Sequence, residues 1–176
     1  MADKRNRFFA LFGAVLFLFT SSALTIAVIY SSTQKNDPSS NTPSNKKAST
    51  KMLQGTPLAN FTPVSSIPAL KTEDTTVGSG EVVQAGDTVT TDYTGAVAST
   101  GIIFQSSKDS GQTVSFGLNQ VIKGWTEGIP GMKVGGTRRL FIPAALAYGA
   151  NPPAGSGIPA NADLVFDVTV YKTTHS

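Results

Sequence analysis

One tryptophan and one histidine frame the chemistry open to this chain. Trp125 stands in VIKGWTEGIPGMKVGGTRRLFIP, residues 121 to 143, among glycines and ahead of a strand-like run with two adjacent arginines. His175 is the penultimate residue, a position expected to be a frayed tail rather than a catalytic base. There is no cysteine, which excludes a disulfide framework, a thiol nucleophile, a Cys-based metal site and a lipid-modified cysteine anchor. Triads, His metal clusters and most general-base schemes therefore have no candidate. Tyr148 is a stronger lead, because AYGANPPAGSGIP sets it beside a Pro- and Gly-rich loop, the kind of segment where function concentrates.

These residues need a scaffold, and the alternation of apolar positions says which. DTVTTDYTG, residues 87 to 95, puts Val89, Thr91 and Tyr93 on one face. DLVFDVTVY, residues 163 to 171, puts Leu164, Phe166, Val168 and Val170 on one face and Asp167 and Thr169 on the other. Period two is the pattern of half-buried antiparallel strands. TRRLFI, residues 137 to 142, and QTVSF, residues 112 to 116, read as strands too, with Arg138 and Arg139 as a solvated strand edge. Helical signal is confined to a turn or two over residues 123 to 129 and a single turn at 143 to 149. The fold class is α+β: a curved antiparallel sheet wrapped around one short helix, with Trp125 between them.

Charge and hydropathy divide the chain. Residues 1 to 51 hold seven basic and two acidic side chains, a net +5, whereas the remainder holds seven basic and nine acidic, a net −2. The basicity belongs to the tail, so no nucleic acid is expected as a partner. After Lys4, Arg5 and Arg7, the uncharged stretch FFALFGAVLFLFTSSALTIAVIY, residues 8 to 30, reads as a transmembrane helix. Its length, on the order of 35 Å, exceeds a hydrocarbon core of about 30 Å. The positive flank predicts a cytoplasmic N-terminus and a single-pass protein of the cell membrane with an extracytoplasmic domain. A cleaved signal peptide, with Ser21 and Ala23 as small residues at the cleavage site, is the alternative and would give a secreted protein.

Four segments follow: residues 1–30 as basic flank and anchor, 31–51 as linker, 52–69 as extended arm and 70–174 as the folded domain. The linker, rich in Ser, Thr, Asn, Lys and Pro, has almost nothing to bury and is expected to act as a flexible tether with a reach of about 25 Å. The arm adds Leu53, Leu58, Phe61, Val64 and Ile67, expected to pack on the domain's flank.

DYTG at 92–95, IFQSS at 103–107, VIKGWTEGIPGMKVGG at 121–136, RRLFIPAALAYG at 138–149 and IPANADLVFDV at 158–168 occur in one order and spacing. That series resembles the FKBP-type peptidyl-prolyl cis-trans isomerases, and the anchor and tether resemble membrane-anchored bacterial members. The resemblance implies an apolar pocket for a prolyl ring with Trp125 as its floor. Tyr93, Phe104, Tyr148 and Phe166 are then catalytic, and Gln105, Val114, Val121, Ile122 and Ile158 bind substrate. The Ile122 backbone N–H and the Tyr148 hydroxyl correspond to donors for carbonyls of the bound chain. It further implies proline-containing client segments and macrolide-type inhibitors as partners, and no cofactor or metal.

The physics suits that role. Amide resonance gives X-Pro rotation a barrier of roughly 18 to 20 kcal/mol. The twisted amide is less polar than either planar form, so a dry aromatic pocket favours it, and no nucleophile or titrating base is needed. Two departures stand out: Gln105 replaces the family's usual aspartate in FDSS, and Val114 stands where many members carry an aromatic residue. Gln removes a charge and offers donors where only acceptors stood. An isomerase of exported proteins and a weakly catalytic binding module or chaperone for proline segments both remain open on these residues.

Overall fold

Six strands and one helix build the domain. They are β1 (Lys71–Thr76), β2 (Thr88–Val97), β3 (Ile103–Ser106), β4 (Val114–Gly117), α1 (Lys123–Gly128), β5 (Thr137–Ile142) and β6 (Leu164–Thr174). The computed structural model describes residues 52–175. The expected spanning helix, the linker and the cytoplasmic flank lie outside these residues. Among the described residues, no helix is long and apolar enough to cross a membrane.

All strand pairs are antiparallel, in the order β1-β5-β6-β2-β3. Strand β4 pairs the first part of β2, from Thr88 to Thr91, and β3 pairs the part from Thr94 to Ala96. The expected alternation is present: Val89, Thr91 and Tyr93 are buried, as are Leu164, Phe166, Val168 and Val170. Strand β1 was not expected, and every one of its residues is exposed. An edge strand with nothing to bury carries no hydrophobic period by which to find it.

Helix α1 lies against one face of the sheet. A Cβ at Gly124 would collide with the Ile142 side chain, and one at Gly128 would stand 2.9 Å from Leu140 Cδ2. Only glycines allow the helix to approach this closely. Arg138, on the same face of β5, ties the helix end down by donating from Nη1 to the Gly128 carbonyl at 2.8 Å. Its Nε and Nη2 donate to Asp74 of β1 at 2.6 and 3.0 Å. The pairing holds the Asp74 carboxyl below the usual carboxylate range.

The opposite face is covered as well. Leu58 and Ile67 are buried there with Ala96, Ala98, Ile103 and Val165, and Leu53, Phe61 and Phe141 pack against them. Val64, expected to join them, is exposed. The start of the arm bridges to the open edge of β3: Gly55 N–H donates to Ile103 O at 2.8 Å and Ile103 N–H to Thr56 O at 2.9 Å. Covering an edge in this way removes a template for unwanted pairing.

Both arginines are engaged, contrary to the expected solvated edge. Arg139 is buried beneath the arm and forms two bonds with Asp167. It also donates to the carbonyls of Asn60 at 2.5 Å and Ala59 at 2.9 Å, with its guanidinium carbon 5.8 Å from the Phe61 ring centre. Because β5 is covered on both faces, neither of two adjacent side chains points to open solvent.

Candidate functional site: an aromatic cluster between helix and sheet

The first turn of α1 carries Trp125 onto the sheet, where it is 4% exposed. Its ring centre lies 5.5 Å from Tyr93, 5.5 Å from Phe166 and 5.7 Å from Phe116, with interplanar angles of 81°, 90° and 88°. Near-perpendicular contacts set ring edges, which are positive, against ring faces, which are negative. Phe104 joins through Phe166, at 5.7 Å and 86°. The indole N–H is buried without a hydrogen-bond partner among the described residues. An unpaired donor of this kind costs roughly 1 to 3 kcal/mol.

Local backbone features aim these rings. Gly95 pairs with Phe166 on one side and Gln105 on the other, and the register of β3 shifts between Gly95 and Ala96. The resulting bulge sets both Phe104 and Gln105 against Gly95, the re-aiming that bulges perform beside functional sites. A Cβ at Gly95 would stand 2.6 Å from both Phe104 Cζ and Phe166 Cε1. Glycine is what lets the two rings meet across β2.

The remaining expected site residues surround the cluster to different degrees. Val114 is half-buried on β4 opposite Thr91. Val121 and Ile122 are half-buried just before α1, and the Ile122 carbonyl accepts the first helical hydrogen bond, from Trp125 N–H at 2.9 Å. Ile158 is buried on the loop preceding β6. Tyr148 is half-buried after the single turn Ala144–Leu146. Burial raises its hydroxyl pKa, and burial followed by the nearby Tyr148 raises that of Tyr93. Both hydroxyls are thus protonated donors throughout the neutral range.

Phe116 is the cluster member that the sequence reading passed over. It lies two residues beyond Val114 on the same face of β4, opposite Val89. The alternation Val114, Ser115, Phe116 was the signal for it. Among the described residues, no three His, Cys, Asp or Glu side chains are placed to hold a metal ion.

A family model described as FKBP-type peptidyl-prolyl cis-trans isomerase matches residues 79–171, more than half of the chain. The chain belongs to the FKBP-type peptidyl-prolyl cis-trans isomerase family. It is 49% identical over 112 residues to the probable FK506-binding protein of Corynebacterium glutamicum, covering 62% of this chain and 92% of that one. Against FK506-binding protein 4 of Gibberella zeae, identity is 47% over 113 residues, covering 63% of this chain but only 22% of the relative. The FKBP-type chain thus spans a small part of some relatives and nearly the whole of others.

Among solved structures it is similar to FkpA from Escherichia coli, at 40% identity and a TM-score of 0.55, covering 60% of this chain and 48% of that one. A peptidyl-prolyl cis-trans isomerase from Pseudomonas syringae gives 30% identity and a TM-score of 0.54, covering 62% and 84%. Family, antiparallel sheet and single short helix therefore agree with what the sequence motifs implied.

Proposed function

We propose that this protein catalyses cis-trans isomerisation of X-Pro bonds in client polypeptides by seating the prolyl ring on Trp125. The observation that carries this reading is the cluster of near-perpendicular rings around Trp125, an apolar wall with buried glycine contacts behind it. A planar amide entering such a surface loses water that stabilised its charge separation. The twisted amide has less to lose, so the barrier falls. A reduction of about 5 kcal/mol corresponds to a rate gain on the order of a few thousand-fold.

In this reading Tyr93, Phe104, Phe116 and Phe166 form walls with Val121 and Val114, and Ile158 closes one side. The Tyr148 hydroxyl and Ile122 N–H hold carbonyls of the client. A macrolide of the FK506 type, after which several relatives are named, would compete for the same surface. Residues 8–30 would hold the domain at the outer face of a membrane, so the clients are exported proteins. Protease protection of intact against permeabilised cells tests that orientation.

Gln105 favours a second reading, a proline-segment binding module with weak catalysis, because it lies beside Gly95 and Phe104 without the charge of an aspartate. The deciding experiment measures isomerisation of a short X-Pro peptide by the detergent-solubilised chain, with Trp125→Ala and Tyr148→Phe as comparisons. Acceleration that falls in both variants supports the enzyme. Binding of the peptide without acceleration, restored by Gln105→Asp, supports the binding module.

A further inference from the structure

A groove of about 340 Å³ is lined in part by Phe104, a volume within the roughly 300 to 1,000 Å³ typical of ligand sites. Three segments wall it: Gly55 of the arm, Ile102 and Ile103 of the β2–β3 hairpin, and Gly157 and Pro159 of the loop carrying Ile158. At Gly55 and Gly157 these walls present backbone without a side chain, and no atom lies within 4 Å of a Cβ placed on Gly55. Ile102 contributes an apolar side chain that is 39% exposed. The arm wall is fixed by the Asp109 carboxylate, which accepts from Leu53 N–H at 2.6 Å and Gln54 N–H at 3.0 Å.

We propose that this groove is a subsite for an apolar client side chain two or three residues from the proline, built jointly by the arm and the isomerase domain. The inference rests on the isomerase reading above, because continuity with the prolyl surface identifies the occupant. Phe104 belongs to both: it lines the groove and its ring is 5.7 Å from Phe166, which is 5.5 Å from Trp125. Extended chain advances about 3.3 Å per residue, so two or three residues carry a client from one surface to the other. The arm thereby adds specificity to a pocket that otherwise recognises little beyond the proline ring.

The test uses the full chain in mild detergent and peptides of two lengths. The short peptide has one residue on each side of the X-Pro pair. Longer peptides carry Leu or Ser two or three residues from the proline, on each side in turn. Burying one leucine predicts a preference of about tenfold in kcat/KM for a Leu over its Ser twin. Ile102→Glu and Asp109→Ala should reduce that preference to less than about twofold and leave the short peptide's rate unchanged, which also reports that both variants fold. The proposal is overturned if Leu and Ser twins are handled equally by the unaltered chain, or if the variants slow short and long peptides alike. Failure of the isomerase reading is distinct, since the unaltered chain would then not accelerate even the short peptide, and both proposals would fall.

Discussion

Arg139 and Asp167 meet through two parallel bonds, Nε to Oδ1 at 2.7 Å and Nη2 to Oδ2 at 2.8 Å, on the sheet face opposite Trp125. The pair does more than join β5 to β6. With its remaining donors Arg139 holds the carbonyls of Ala59 and Asn60, so the arm is fastened to the sheet by a fork that a point charge cannot reproduce.

Arg139→Lys should therefore destabilise the domain by about 1 to 3 kcal/mol, since charge-assisted, partly buried bonds are lost. Amide hydrogen exchange across residues 58–67 should accelerate, while turnover of a short X-Pro peptide stays unchanged because the aromatic cluster is on the other face. Urea titration and exchange mass spectrometry read the two effects. Equal exchange in both proteins would mean that apolar contacts at Leu58 and Ile67 hold the arm without the fork.

The misreading of Arg139 shows how far the sequence was legible. Period-two runs located β2 and β6, whose alternate residues are buried under the helix, and TRRLFI and QTVSF read as strands as well, in agreement with β5 and β4. The arm's apolar residues announced that it packs on the domain, and Leu58 and Ile67 are buried as expected, but its irregular, proline-containing sequence has no period that tells which sheet face it covers. An arginine next to another on a strand reads as solvent-facing only if one sheet face is bare. The cluster around Trp125 is legible through family-like motifs, apart from Phe116, which lies outside them on the strand that carries Val114. His175, expected to fray, instead lies between two carboxylates.

Gly95→Ala tests the packing that brings two walls of the site together. The added methyl would press on both Phe104 and Phe166, and overpacking of this kind costs roughly 1 to 3 kcal/mol. Isomerisation kcat/KM should fall by about tenfold or more as the rings separate, with the melting temperature several degrees lower. A variant that loses stability yet keeps full activity would show that the Phe104 and Phe166 contact is not needed for the reaction.

Activity should be nearly independent of pH between about 6 and 9. Burial raises the hydroxyl pKa of both Tyr93 and Tyr148, so neither loses its proton in that interval, and the cluster contains no carboxylate or imidazole. A kcat/KM profile for the short peptide checks this. A limb with a midpoint in the neutral range would assign catalysis to a group outside the aromatic cluster.

Stability, by contrast, should depend on pH through His175. Its Nδ1 lies 2.9 Å from Asp87 Oδ2 and its Nε2 lies 2.8 Å from Glu81 Oε1. The Asp87 hydrogen bond, then that of Glu81, raises the imidazole pKa above its ordinary value. Burial alone would raise the Asp87 carboxyl, but the Gln84 N–H, His175 and Thr173 outweigh it and hold it low. The histidine contribution is thus complete below about pH 6.5 and is lost as pH rises through the raised value; the aspartate contribution is present above about pH 4 and is lost on further acidification. His175→Ala should accordingly lower the melting temperature most near pH 5 and least near pH 9. An equal loss at both values would mean that the ring contributes by packing, with its charge irrelevant to the closure of the β6 end onto Asp87.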